Sequence, residues 1–228
     1  MPKRWHIYWF AQVFVRFLFK LFLLINHISK GKYFFSVEIE SEEILRKVRP
    51  PILIIANHRT YIDHFFVLVK LPIWSPLLPA RAMAAEWLFL IPWYKFGFLV
   101  RLLLRILGAY RSNRGEGIDV AVLHPLRIIR AGGSVMIYPE GRLNKEPELA
   151  KFRAGAPYCA YKTGVLVLPL GISGLENFSL RTFFLGGRKI VVRVGEPFRV
   201  RPFDIHSPQE VERAAEDMRG KVKILCEK

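Results

Sequence analysis

Cysteine is almost absent from this chain of 228 residues: Cys159 and Cys226 lie far apart and in no metal-ligand spacing. That excludes a disulfide framework and a zinc site, and suits two free thiols in a reducing compartment. Acidic residues are also scarce, 19 Asp+Glu against 35 Lys+Arg, which leaves a formal net charge of +16. A field of that sign draws polyanions, whether lipid headgroups, nucleic acid or polyphosphate cofactors. No Gly-x-Ser-x-Gly turn occurs, which removes the esterase class built on a serine nucleophile. Internal repeats, low-complexity tracts and long linkers are missing too. The basic, apolar N-terminus carries no small-residue cleavage site, so that segment is expected to be retained.

What is present is apolar. Hydrophobic residues make up 52% of the chain, ample for the core of one large domain. A mean hydropathy of +0.21 beside the charge of +16 favours a membrane surface over nucleic acid, because a bilayer interface accommodates both surpluses at once. The aromatics gather in apolar stretches instead of interleaving with basic residues, and no nucleic-acid-binding motif is found. The expected partner is therefore a phospholipid membrane and not nucleic acid. A non-catalytic basic membrane-binding protein fits these features as well.

Residues 5–28 (WHIYWFAQVFVRFLFKLFLLINHI) are nearly all apolar apart from Gln12, Arg16, Lys20 and His27. Those four fall on one narrow helical stripe, giving a wide apolar arc with a thin cationic edge that suits a helix lying in the headgroup layer. A spanning helix would bury Arg16 and Lys20 at about 2.5–3.5 kcal/mol each, and an ordinary core helix is the third placement. The expected organisation is a membrane-associating helical segment, 1–30, followed by an α/β domain, 31–228, at the cytoplasmic face of a membrane. A second apolar stretch, 87–108, is broken by Pro92 and Gly97 and carries Arg101 and Arg105 one turn apart, where they can face phosphates.

Elsewhere short strand-like runs alternate with helical ones, which predicts an α/β fold: a central, mostly parallel sheet flanked by helices. The strand candidates are 52–56 (ILIIA), 135–138 (VMIY), 165–170 (VLVLPL) and 190–194 (IVVRV), most of them continuous apolar runs of buried-strand type. A helix is expected over 118–130, bent or restarted at Pro125, with Gly132 and Gly133 ending it. A last helix is announced by Ser207, Pro208 and Glu210, a capping box with proline at the first helical position. Its apolar face would comprise Val211, Ala214, Ala215, Met218, Val222 and Leu225.

Chemistry concentrates just after two of the strands. NHRTYID follows 52–56, with His58 and Asp63 separated by four residues at a strand-to-helix turn, the usual place for catalytic groups in α/β folds. A carboxylate reaching back to one imidazole nitrogen fixes the tautomer and leaves the other nitrogen to accept a proton, so the pair is a candidate general base with its orienting partner. Taken singly, such a spacing also fits a purely structural pair. His64 points to another helical face and is assigned no role. YPEGRLNK follows 135–138: Glu140 and Gly141 form a turn, with Gly141 permitting close approach of a ligand, and Arg142 and Lys145 follow as cations for a phosphate. An ordinary turn with solvated charges is the alternative. GAYRSNRG, 108–115, places Arg111 and Arg114 in a polar turn able to fork onto phosphate, or simply to stay solvated.

In this order and spacing the three segments resemble the glycerolipid acyltransferase family, whose best-known members acylate lysophosphatidic acid. Residues 57–63 match its first block, a histidine and an aspartate separated by four residues, and 108–114 are similar to its second, a glycine followed six positions later by arginine. Pro139, Glu140 and Gly141 match the core of the third, and Val167, Leu168 and Pro169 the fourth. Phe152 to Ala156 (FRAGA) resembles the segment after the third block. The resemblance implies His58 as base and Asp63 as its orienter. It makes Arg114, Glu140, Gly141 and Arg142 acceptor-binding residues, and acyl-CoA or acyl carrier protein the donor, with no metal, cofactor or covalent intermediate. The expected activity is transfer of a fatty-acyl group to a lysophospholipid hydroxyl, lysophosphatidic acid first among them. The third block departs from the family pattern Glu-Gly-Thr-Arg-Ser: Arg142 takes the threonine position and Leu143 the arginine position, which leaves room for another lipid or glycolipid acceptor. Thr60 stands where serine is commoner in the first block.

Overall fold

The run ILIIA contains no polar side chain, and a strand of that kind is stable only when covered on both faces. In the computed structural model it forms β2 (Ile52–Ala56), buried at every position. The structure describes residues 36–60, 63–70, 80–84, 110–111, 117–176 and 189–227, together with positions 9, 10, 12–14, 17, 21, 75, 77 and 98. In chain order the elements are β1 (Ser36–Glu40), α1 (Glu42–Lys47), β2, α2 (Asp63–Lys70), β3 (Ala80–Ala84) and β4 (Tyr110–Arg111). They continue with α3 (Ile118–Arg130), β5 (Ser134–Ile137), α4 (Gly155–Thr163), β6 (Leu166–Ser173), β7 (Lys189–Val194) and α5 (Pro208–Glu227).

The strands form one sheet in the order β1-β7-β6-β2-β5-β3-β4. All neighbours are parallel except the β6/β7 pair, so the central, mostly parallel sheet expected from the sequence is what forms. Side chains alternate across β2. Ile52, Ile54 and Ala56 pack with Leu45 of α1 and with Phe66 and Val67 of α2. Leu53 and Ile55 face the opposite layer, built from Val122 and Ile129 of α3, Ala156 and Cys159 of α4, and Met218 and Val222 of α5. Three layers result, with β2 at the centre between β5 and β6.

Two helices refine the expectations. α3 runs from Ile118 to Arg130 without a break, with Pro125 buried inside it. One missing N–H is tolerated there while the helix's apolar face stays on the sheet. At the start of α5, Glu210 does not close the reciprocal box expected of it. Its backbone N–H reaches Ser207 Oγ at 3.4 Å, but its carboxylate accepts from the N–H of Asp204, three residues before the cap.

The described residues among positions 9–21 are helical. Gln12 is buried, its side-chain amide donating to the carbonyl of Ala80 at 2.9 Å, whereas Phe10, Phe14, Phe17 and Leu21 are exposed. Gln12 therefore faces the domain and not a headgroup layer, because it meets a polar group at the start of β3. Arg16, Lys20 and His27, the rest of the expected cationic stripe, lie outside the described residues. So does the stretch 87–108, apart from Phe98. Among the described residues no helix is long and apolar enough to cross a membrane.

Candidate active site

β2 ends at Ala56, and the following turn enters α2 at Asp63, which puts His58 at the carboxyl edge of the central strand. The imidazole Nδ1 lies 2.9 Å from Asp63 Oδ2; the side chains are 18% and 0% exposed. A fully buried carboxylate is tolerated when donors surround it. Asp63 has them: Oδ2 also accepts from the backbone N–H of Arg59 at 2.7 Å, and Oδ1 from the Thr60 N–H at 2.9 Å and the Thr60 hydroxyl at 2.6 Å. No cation is needed. A carboxylate on Nδ1 holds the proton there, so Nε2 carries the lone pair that can accept one from a substrate.

The main chain of His58 is gripped from both sides by the segment after β5. Its N–H donates to Glu140 Oε1 at 2.7 Å, and its carbonyl accepts the N–H of Asn144 at 2.8 Å. The ring lies flat on Tyr138, centroids 4.1 Å apart at 13°. Burial, with Asp63 nearby, raises the Tyr138 phenol well above its ordinary value, so the stacking surface is uncharged. On the other flank Asn57 is buried and locks onto β6, its amide donating to the Ile172 carbonyl at 2.8 Å and its oxygen accepting the Ile172 N–H at 2.7 Å. Arg59 latches the loop beyond. Its guanidinium donates to the carbonyls of Asn144 at 3.2 Å and Pro147 at 2.8 Å, and also to that of Glu146.

His58 and Asp63 are brought together. Glu140 and Gly141 stand beside them, but Glu140 does not face an open site: it is 3% exposed, and its second oxygen accepts the Ala150 N–H at 3.1 Å. Both its oxygens are committed to backbone, which makes it a positioning residue instead of the acceptor-binding one expected. Gly141 closes a turn, its N–H on the Tyr138 carbonyl at 3.0 Å and its φ at +73°, a conformation that favours glycine. Arg142 is exposed, and Arg114 lies outside the described residues. His64, assigned no role, is half-buried in α2. Burial pushes its imidazole down to about 4, with Asp63 opposing and His58 assisting the shift, so it is neutral near pH 7. Asn57, Arg59, Tyr138 and Asn144 escaped the sequence reading as supports. Their partners are distant in the chain, 115 residues away for Asn57 and 85 for the Arg59–Asn144 contact, and nothing in the local pattern signals them.

An α/β sheet carrying a partly exposed histidine, oriented by a buried aspartate, at the carboxyl edge of its central strand defines a class, proteins equipped to take a proton from a substrate held over that edge. Comparison with known proteins narrows it. Residues 36–173 match the family model described as Acyltransferase, from the first residue of β1 to the last of β6, and the chain belongs to that family. Human 1-acyl-sn-glycerol-3-phosphate acyltransferase beta is 29% identical over 167 residues, covering 70% of this chain and 56% of that protein. The 1-acyl-sn-glycerol-3-phosphate acyltransferase of Borreliella burgdorferi is 26% identical over 157 residues, covering 68% and 58%. The chain thus spans less than two thirds of the length of either relative. The crystal structure of the 1-acyl-sn-glycerophosphate (LPA) acyltransferase PlsC from Thermotoga maritima shares the fold, with a TM-score of 0.59 at 23% identity over 83% of this chain and 72% of that one.

Proposed function

We propose that this protein transfers a fatty-acyl group from a thioester, acyl-CoA or acyl carrier protein, to the hydroxyl of a lysophospholipid, with lysophosphatidic acid as the favoured acceptor and phosphatidic acid as product. The observation that carries this is the 2.9 Å contact from His58 Nδ1 to the buried Asp63. His58 Nε2 takes the proton of the acceptor hydroxyl as its oxygen attacks the thioester carbonyl. Collapse of the tetrahedral intermediate breaks the C–S bond, and the imidazolium returns the proton to the departing thiolate. Asp63 stabilises the imidazolium and fixes its orientation. Support comes from family membership and from the printed activities of the relatives.

Measurement of thiol release from acyl-CoA with a panel of lyso-acceptors tests this. His58→Ala is expected to lose about 10²- to 10⁴-fold in acceptor-dependent rate, the usual worth of a positioned general base, and Asp63→Asn to fall as well because the wrong tautomer is favoured. Absence of acceptor-dependent release by the wild type would favour a binding protein instead.

The same reading places the protein on a membrane, where a lysophospholipid is found. Phe10, Phe14, Phe17 and Leu21 recur at helical spacing and are 66, 61, 55 and 44% exposed, an apolar face on a chain of net charge +16. An interfacial helix over anionic lipid needs that combination.

A further inference from the structure

Asn144, in the loop after β5, is buried, and both ends of its amide and both its main-chain groups are engaged. Side-chain Oδ1 accepts the Glu146 N–H at 3.0 Å and Nδ2 donates to the Glu148 carbonyl at 2.6 Å, so the amide closes residues 144–148 on themselves in the manner of an Asx turn. The main chain of Asn144 faces the catalytic loop. Its N–H donates to the His58 carbonyl at 2.8 Å, and its carbonyl accepts from Arg59 Nη1 at 3.2 Å. Arg59 completes the circuit. Its guanidinium also donates to the carbonyls of Glu146 and Pro147, which lie within the stretch that the Asn144 amide folds. Its own N–H donates to Asp63 Oδ2 at 2.7 Å, the oxygen that holds His58 Nδ1. None of the bonds made by Asn144 is to the imidazole, yet they fix the main chain on which the ring is carried.

We propose that Asn144 and Arg59 act as one clasp, a pair of positioning residues that sets where His58 Nε2 stands relative to the substrate. This rests on the acyl-transfer reading above. The clasp joins the loop after β2 to the loop after β5, the two segments from which the base and its supports are drawn. The guanidinium meets three carbonyls whose directions are set by the folded loop, and a planar fork suits that arrangement where a lysine ammonium does not. Because every bond of the clasp is between protein groups, loss of either member lowers the rate of the chemical step and leaves substrate affinity alone.

Steady-state thiol release by the full chain is measured with lysophosphatidic acid and acyl-CoA, beside urea midpoints and the His58 imidazole resonances in nitrogen-edited NMR spectra at one fixed pH. Asn144→Ala is expected to lose about 10- to 100-fold in kcat, the scale of a small misplacement of a catalytic group. Both KM values should stay put, and the loss should persist where the urea curve shows the variant folded. Asn144→Ser keeps an acceptor for the Glu146 N–H but is too short to reach the Glu148 carbonyl as well. It should fall between wild type and Asn144→Ala, and it serves as the test should the alanine variant fail to fold. Arg59→Lys, which keeps the charge and loses the fork, should also lose kcat. Combined with Asn144→Ala it should cost no more than the worse single change, because residues acting as a unit are not additive. Losses that multiply overturn the proposal, as does a raised acceptor KM with kcat intact or a loss that only follows the unfolded fraction. A wild type with no acceptor-dependent release removes acyl transfer, and the clasp is then read from the spectra. His58 resonances displaced in Asn144→Ala, and less so in Asn144→Ser, uphold it; resonances that coincide with those of the wild type overturn it.

Discussion

At the scale of single residues, the chemistry depends on which polar groups are already spoken for. Glu140 offers two oxygens to two backbone N–H groups, those of His58 and Ala150. Glu140→Gln turns one acceptor into a donor facing a donor, which should cost about 1–3 kcal/mol and tilt His58. The expected outcome is a lower thermal midpoint and a lower kcat with acceptor KM unchanged; a rise in KM alone would mean that the carboxylate touches substrate after all. His64 yields a prediction in pH. Its imidazole is lowered from 6.5 to about 4 in the folded protein, so the unfolded chain takes up a proton in that interval and the folded chain does not. The unfolded state then binds more protons, and stability falls as pH drops from about 6.5 to about 4. His64→Gln should flatten urea midpoints across that window. The His58–Asp63 pair was legible because both members sit within one turn, as were the glycine and cation after β5. That Glu140 serves the backbone, and that Asn144 brings the loop after β5 onto Arg59, was not legible, since each depends on a contact made only by the folded chain.

At the scale of elements, apolar runs and capping signals identify β2, β5, β6, β7, α3 and α5 within a few residues. β1 went unnoticed because SVEIE is an edge strand whose burial alternates with exposure, and its five residues are too few to show the period. β3 (ARAMA) and β4 (YR) are short and carry arginine, so they form through their pairing to β5 and not from intrinsic preference. The contact of α5 with β6 is unusually close. A Cβ at Gly171 would meet the Leu225 backbone at 2.6 Å, and backbone cannot swing aside as a side-chain tip can. Gly171→Ala should therefore lift α5 from the sheet and destabilise the fold by about 1–3 kcal/mol, the usual cost of overpacking, read as a shift in urea midpoint.

At the scale of the whole molecule, the proposed membrane association combines a net charge of +16 with the exposed side chains of Phe10, Phe14, Phe17 and Leu21. Vesicles containing anionic lipid should retain the full chain at low salt and release part of it as ionic strength rises, because headgroup attraction is screened within about 10 Å at 0.1 M. Phe14→Glu with Phe17→Glu should weaken sedimentation with vesicles while leaving the folded domain intact; unchanged sedimentation would shift that role to other residues. The long reach of the site's contacts also sets a schedule for synthesis. His58 leaves the ribosome early, yet Glu140 follows 82 residues later and Ile172, the anchor of Asn57, comes 115 residues after its partner. A chain halted before residue 138 carries His58 and Asp63 but neither the Tyr138 ring beneath the imidazole nor the Glu140 and Asn144 contacts to its main chain. The arrangement around His58 is therefore complete only once Ile172 of β6 has been added.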